Sequence, residues 1–418
     1  MKYLFVLDKY YPKPLANAVC MQNIIDDLTS KGNEVVVLCY EDELNEKLES
    51  YHGNKIYYVR PDAKQRNFFK AEFYAGTKLE KKYFRRGKLH SLSRKLLTFN
   101  YEPFYSFSFP RRIRKLMVDI VKKERIEVIV TCLHPFDGVY ATYRAKKKGL
   151  LKDIPWVVYA VDNTDNLRLR KLLKLRSSHN YWCKKFLKYC TGFIYMESRH
   201  KDYEIKKFEK YQNKLFPADL PTFIVDNKPC KESTSSKDVW AYLGSMDLAH
   251  YNPHFALEFL LQTKDFSNSE YHFYSRGTGV TQLKEKEVEF PKSIFVHDYV
   301  SREEVEKIKE SVTGFISIKV SKYISAKIFE YISTLKPIIH FSSIEGDPNA
   351  IYLEKYPRAV IVKESEYRSG KYTLENFYKD LESAKNRKVS FEDIEEIYQM
   401  NKPEYSARLI EEIIKKHD

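Results

Sequence analysis

The chain contains no run of about 18 apolar residues and no pair of cysteines spaced as C-x-x-C. The first absence leaves no segment expected to span a membrane. The apolar run Tyr3 to Leu7 meets Asp8, Lys9 and Pro12 almost at once, too soon for a secretory leader. The second absence argues against a structural zinc site. Cys20, Cys39, Cys132, Cys183, Cys190 and Cys230 are scattered, which fits reduced thiols and an expected cytoplasmic location. Acids are almost missing from residues 81 to 115, where eleven Lys and Arg face the single Glu102.

What is present is a soluble composition. Apolar residues make up 43% and charged residues 31% of 418, so neither broad disorder nor a disulfide scaffold fits. That length is too great for one ordinary α/β core and suits two domains of about 200 residues. The net charge of +15 would suit nucleic acid, anionic lipid or an anionic small substrate. In residues 81 to 115 the cations alternate with Tyr83, Phe84, Leu89, Leu92, Phe99, Phe104 and Phe107. Lys and Arg can meet lipid phosphates while aromatic rings enter the headgroup layer, so an anionic membrane surface is one expected partner. The alternative is a basic lid or helix pair packed on the domain. No nucleic-acid-binding module accompanies the charge, and nucleic acid is not an expected partner.

Periodicity predicts an α/β chain. Tyr3 to Leu7 reads as a strand, Val19, Ile24, Ile25 and Leu28 mark one helix face, and Val35 to Cys39 reads as a second strand. This βαβ pattern implies a parallel sheet with a right-handed crossover. Strands are predicted again at 128–131, 156–161 and 193–196, giving a first domain over 1–225 with an insertion at about 60–110. Residues 226–238 are polar and aperiodic and read as a linker. The rhythm restarts over 239–400, with predicted strands at 239–243, 271–274, 294–297, 313–318, 337–341 and 359–362. A last helix falls within 401–418, and the pattern does not assign it to either domain. The expected fold class is two doubly wound Rossmann-like domains facing each other across a cleft, with ligands at the carboxyl ends of the strands.

The stretch Ser325-Ala326-Lys327-Ile328-Phe329-Glu330-Tyr331, followed by Pro337-Ile338, places a lysine and a glutamate one turn apart near a helix start, just before a strand. Helix-start N–H groups can meet phosphate, and a glutamate can accept hydrogen bonds from ribose hydroxyls. Together with Tyr10-Tyr11-Pro12, Asn17-Ala18, Lys31-Gly32-Asn33-Glu34-Val35 and Tyr242-Leu243-Gly244-Ser245-Met246, this stretch resembles the GT-B glycosyltransferases of the large retaining family 4 (glycosyl transferases group 1). That family includes sucrose synthases and many bacterial polysaccharide and lipid-linked-sugar transferases. The resemblance spans essentially the whole chain and is firmest at its two ends.

The resemblance implies a glycosyltransferase moving a sugar from a nucleoside diphosphate sugar to a hydroxyl of a glycan or lipid-linked glycan, retaining and metal-independent, without a cofactor. It places Glu330 on the donor ribose and Tyr299 or Val300 beside the nucleobase. The family's first donor-site acid falls at Lys322, and its phosphate-binding Arg after the domain-opening Gly244 falls at Ser245; both are departures. Lys327, Lys322 and Arg276 are the cations left to hold phosphate, and Ser325 lies at the helix start. Arg276 precedes Gly277-Thr278-Gly279, a turn that would permit close ligand approach. In the first domain Asp162 and His134 follow strands and are the acceptor-side candidates, with Asn17 at the opening helix a possible contributor to an anion site. No Asp-x-Asp pair offers a metal site. A nucleotide-sugar epimerase, or a catalytically degenerate subunit that stabilises a partner, would use the same architecture.

Overall fold

The computed structural model describes residues 1–12, 14–44, 46–74, 77–97, 108–133, 136–161, 178–204, 206–225, 237–298, 300–321 and 324–416. The chain forms two compact units: Met1–Pro221 with Met400–Asp418, and Thr222–Gln399.

The first unit is built on an eight-stranded sheet. Its elements are β1 (Lys2–Lys9), α1 (Ala16–Ser30), β2 (Glu34–Tyr40), β3 (Ser50–Tyr51), β4 (Asn54–Val59), α2 (Ala63–Phe73), α3 (Lys78–Leu97), α4 (Ser108–Glu124), β5 (Val128–Cys132), α5 (Phe136–Lys147), β6 (Trp156–Ala160), α6 (Ser178–Leu187), β7 (Gly192–Met196) and β8 (Leu215–Ala218). The strand order is β3-β4-β2-β1-β5-β6-β7-β8, parallel except for the short β3–β4 hairpin. Near-continuous burial along β1, β2, β5, β6 and β7 is what a parallel sheet covered on both faces requires.

The predicted insertion at about 60–110 holds a helical pair. In α2 and α3, Tyr74 stacks on Tyr83 and Gly87 lies against the Phe68 ring. Phe69 of α2 joins the main core together with Phe109 of α4, so this pair packs on the domain. Phe73, Leu79, Phe84 and Leu89 remain exposed beside exposed Lys81, Lys82, Arg85, Arg86 and Lys88. Leu79, Phe84 and Leu89 are five residues apart and turn around the helix instead of forming one apolar stripe. The aromatics at 99, 104, 105 and 107 lie outside the described residues.

The second unit has β9 (Asp238–Ser245), α7 (His254–Leu260), β10 (Ser269–Arg276), α8 (Val280–Glu289), β11 (Ile294–His297), α9 (Arg302–Ser311), β12 (Gly314–Lys319), α10 (Lys327–Ile332), β13 (Ile338–Ser342), α11 (Pro348–Leu353), β14 (Ala359–Lys363) and α12 (Leu374–Asn386). The order β11-β10-β9-β12-β13-β14 is wholly parallel and reverses direction between β9 and β12. Helix α8 was not read from the sequence, because its one buried residue, Leu283, leaves no apolar periodicity to detect.

The last helix, α13 (Pro403–Lys415), returns to the first unit. Ser406 Oγ lies 2.9 Å from the buried Tyr159 hydroxyl, which also donates to the Asp219 carbonyl. A β-carbon on Gly192 of β7 would sit 2.5 Å from Ile413, so the glycine lets α13 approach the sheet.

At the carboxyl end of β1, Asp8 is buried with no hydrogen bond to its Oδ1 atom, beside the buried Lys9–Asp42 ion pair. Burial pushes its carboxyl up to about 8, against the opposing effects of a backbone hydrogen bond and Lys9. A raised carboxyl pKa makes the folded state bind the proton more tightly than the unfolded chain does. This group therefore costs stability progressively as pH rises from about 4 to about 8. Asp8→Asn is expected to remove that part of the slope and raise the thermal midpoint at neutral pH, measured by calorimetry across the range; an unchanged slope would refute it.

Candidate functional site

In the second unit, β12 bonds to β9 only at Gly314–Trp240 and Phe315–Ala241. Past that point the Tyr331 hydroxyl fills the gap, accepting from the Leu243 N–H at 3.0 Å and donating to its carbonyl at 3.3 Å. Its ring stacks on Phe315 with centroids 4.4 Å apart. The sheet thus opens where its strand order reverses, the place where doubly wound sheets hold ligands.

Lys327 enters this opening from the start of α10. Its Nζ is buried and has no hydrogen-bond partner. A β-carbon on residue 244 would lie 1.8 Å from that Nζ, and Gly244 has φ +129°, so both space and backbone demand glycine. The ammonium rests over the rings of Tyr242 and Tyr251, 5.3 Å from each centroid.

A second lysine reaches the same place. Lys319 ends β12, is 1% exposed, and stands 4.5 Å over the Tyr251 ring. Neither lysine has a carboxylate within 4 Å among the described residues. The Tyr251 ring shared between them attracts cations without neutralising them.

Burial lowers the Lys327 ammonium to about 8, opposed by Glu330 and reinforced by Lys319 and Arg276. Burial lowers Lys319 to about 8 as well, with Asp347 opposing it. Two buried ammonium groups without a carboxylate within 4 Å among the described residues form a site suited to an anion.

Lys319 was missed in the sequence, yet Phe315-Ile316-Ser317-Ile318-Lys319 carries its signal. A lysine closing an otherwise apolar parallel strand sits at the ligand end of the sheet.

The other candidates fall as follows. Glu330 is largely buried, and its Oε2 accepts from Lys309 of α9 at 3.4 Å. Ser325 precedes α10, and its N–H is already donated to Asn349 Oδ1 at 2.9 Å. Helix α10 has six residues, so its dipole adds little and the lysine side chain carries the charge. Ser245 is exposed, and its carbonyl accepts from the Tyr242 hydroxyl at 2.7 Å. Arg276 ends β10 and is exposed.

Gly277 and Gly279 both close on Met246. A β-carbon on Gly277 would lie 2.8 Å from the Met246 carbonyl oxygen, which accepts the Gly279 N–H at 2.7 Å. Lys322, Tyr299, Asp162 and His134 lie outside the described residues. Asn17 is half-buried in the first turn of α1. Among the described residues no group of three His, Cys, Asp or Glu could hold a metal ion.

The sequence matches no protein-family model and no curated protein. Solved structures do match along the whole chain. Sucrose-phosphate synthase from Thermosynechococcus elongatus is 8% identical and aligns over 99% of this chain and 98% of its own, with a TM-score of 0.62. The catalytic domain of starch synthase IV from Arabidopsis thaliana, bound to ADP and acarbose, is 9% identical over 99% and 98%, at 0.59. The lipopolysaccharide outer core galactosyltransferase WaaB is 11% identical over all of both chains, at 0.57. The fold is GT-B. At these identities the likeness concerns architecture alone.

Lys327→Met should stabilise the ligand-free protein by about 1–3 kcal/mol, because an unpartnered buried amine is replaced by an apolar chain of similar length. The folded chain gives up this proton at about 8 and the unfolded chain near 10.5, so stability rises with pH through that window. Chemical denaturation as a function of pH should show that rise in the native protein and a smaller one, left by Lys319, in Lys327→Met. An equal or lower stability in the variant at neutral pH would contradict the site's description.

Proposed function

We propose that the chain is a glycosyltransferase that binds a nucleoside diphosphate sugar in its second unit and transfers the sugar to a hydroxyl of a glycan or lipid-linked glycan. The observation that carries this reading is the unneutralised pair Lys319 and Lys327 at the open switch point, where Gly244 makes room for the Lys327 amine. A diphosphate supplies the complement. Its negative charge grows as the glycosidic bond to phosphorus-bound oxygen breaks, so fixed cations favour the transition state over the bound donor.

Within this reading Lys319 and Lys327 hold the phosphates, with Arg276 adding charge from the neighbouring strand end. Glu330 accepts the ribose hydroxyls, already oriented by Lys309. Tyr299 and Lys322 belong to the same donor reading, and Asp162 and His134 to the acceptor side in the first unit. Transfer without a metal is part of the proposal, the lysines supplying the positive charge. Retention of configuration follows from the sequence resemblance; the departing phosphate would then take the proton of the attacking hydroxyl on the same face.

The anionic surface expected for residues 81–115 also belongs to this proposal. Between residues 78 and 88, the six cations Lys78, Lys81, Lys82, Arg85, Arg86 and Lys88 stand against the single acid Glu80. With no single apolar stripe among the described side chains of α3, attraction by charge is expected to dominate over insertion, and binding should be sensitive to salt.

Two measurements test the reading. Calorimetry with UDP, GDP and their sugars should find one donor, and Glu330→Ala should weaken it about ten- to a hundredfold, the scale of lost hydrogen bonds to a charged group. An unchanged affinity would remove Glu330 from the site, and binding without turnover on any glycan would favour a degenerate subunit. In flotation, the protein should rise with vesicles containing anionic lipid and be released by about 0.5 M salt. Reversing Lys81, Lys82, Arg85 and Arg86 to Glu should abolish this, and flotation that ignored both changes would refute docking by charge.

A further inference from the structure

One group of buried polar side chains in the second unit is not among those assigned to the proposed donor. His340 of β13 is fully buried, with its Nδ1 3.0 Å from Ser317 Oγ and its Nε2 2.9 Å from Asp347 Oδ2. Ser317 and His340 are register neighbours on adjacent strands, so their side chains share one face of the sheet.

Burial alone would push the Asp347 carboxyl up. Hydrogen bonds from His340, Ser342 and the Asn349 N–H outweigh it and hold the group below the usual carboxylate range. An ionised Asp347 only accepts. Its bond with His340 therefore places the shared proton on Nε2, and in the neutral ring Nδ1 accepts the Ser317 hydroxyl.

From Asp347 the network continues in two directions. Its Oδ1 accepts the Asn349 N–H at 2.8 Å and caps α11, while Asn349 Oδ1 accepts the Ser325 N–H at 2.9 Å, two residues before Lys327. In the other direction, Ser317 lies two residues before Lys319 on β12, and the Ser343 N–H donates to the Lys319 carbonyl at 3.2 Å. One chain of buried contacts thus links the strand end bearing Lys319 to the turn presenting Lys327.

Networks of this kind are costly to bury, and Ser317, Ser325, His340, Asp347 and Asn349 are each less than a tenth exposed, with the Asn349 Nδ2 atom left without a hydrogen-bond partner. A simple core would fill the same volume with apolar side chains at lower risk. The specific consequence of the polar version is a fixed negative charge beside Lys319.

We propose that His340 and Asp347 are positioning residues of the anion site, fixing the two backbone segments that carry Lys319 and Lys327 and orienting the Asp347 carboxylate. This rests on the reading of the lysine pair as a diphosphate site. Among the described residues, the groups acting on Lys319 from the elements around it are Asp347 ahead of α11, Lys327 of α10 and the Tyr251 ring after β9. Arg276 and Glu330 act on Lys327, and His340 acts through Asp347.

The test uses Asp347→Asn in the full chain. Asparagine caps a helix as well as aspartate does and keeps the volume, so it removes the charge and leaves the cap. Binding of UDP, GDP and inorganic pyrophosphate is measured by calorimetry between about pH 6.5 and 9.5. Affinity of the native protein should fall on the alkaline side as the lysines lose their protons. In Asp347→Asn that fall should begin about one pH unit lower, giving about tenfold weaker binding on the alkaline limb. Asp347→Ser, which keeps a capping oxygen without charge, should give the same displacement. Lys319→Met should lose most of the affinity at every pH.

A lowered melting temperature with an unmoved alkaline limb in both Asp347 variants would reduce the network to a structural cap and overturn the inference. Binding of pyrophosphate but neither nucleotide would overturn the proposed function, and the displacement measured with pyrophosphate would still decide the inference. Binding of none of the three would overturn both.

Discussion

A lysine amine pressed against a glycine α-carbon is the constraint on which the site depends. Lys327 can occupy the opening beside β9 only because residue 244 lacks a side chain and takes a backbone angle that other residues rarely adopt. Buried lysines are rare because removing an ammonium from water is expensive, and here no hydrogen bond offsets that cost. A fold that maintains such a group, with Lys319 beside it, is poorly matched to the ligand-free state and well matched to an anion.

The opening itself comes from strand order. In a sheet that runs outward in both directions from its centre, the connections after β9 and β12 leave on opposite sides and part the two strands at their carboxyl ends. Tyr331 takes over the Leu243 backbone groups that a longer ladder would have paired. Position 331 therefore closes the core just beneath the charged floor of the site, and position 327, one turn earlier on α10, forms that floor. The same helix places Glu330 toward Lys309, so a short segment supplies a cation, a carboxylate and a seal.

Aromatic rings play an unusual part in this arrangement. Tyr251 lies under both ammonium groups, and Tyr242 under one. A ring face attracts a cation without cancelling its charge, so the lysines are held in place while their field is left for a ligand. Carboxylates are kept one step away: Glu330 is engaged by Lys309, and Asp347 by His340 and the cap of α11.

The doubly wound class and the strands other than β3, β4 and β8 were legible in the sequence, because burial on both faces of a parallel sheet writes long apolar runs; Lys327 and Glu330 drew attention by their spacing ahead of a strand, and Gly244 through the family resemblance. Helix α8 was not legible, having a single buried side chain, and neither were the roles of Gly277 and Gly279, whose close neighbour is the distant Met246. Lys319, His340, Asp347 and Asn349 acquire their meaning from contacts across β12, β13 and the loop ahead of α11, separations that local pattern does not encode. Local sequence determined which segments become strands and helices, since that depends on periodicity and turn chemistry. Only the tertiary structure decided which charges are buried without neutralisation, because desolvation depends on everything packed around a group and not on its neighbours along the chain.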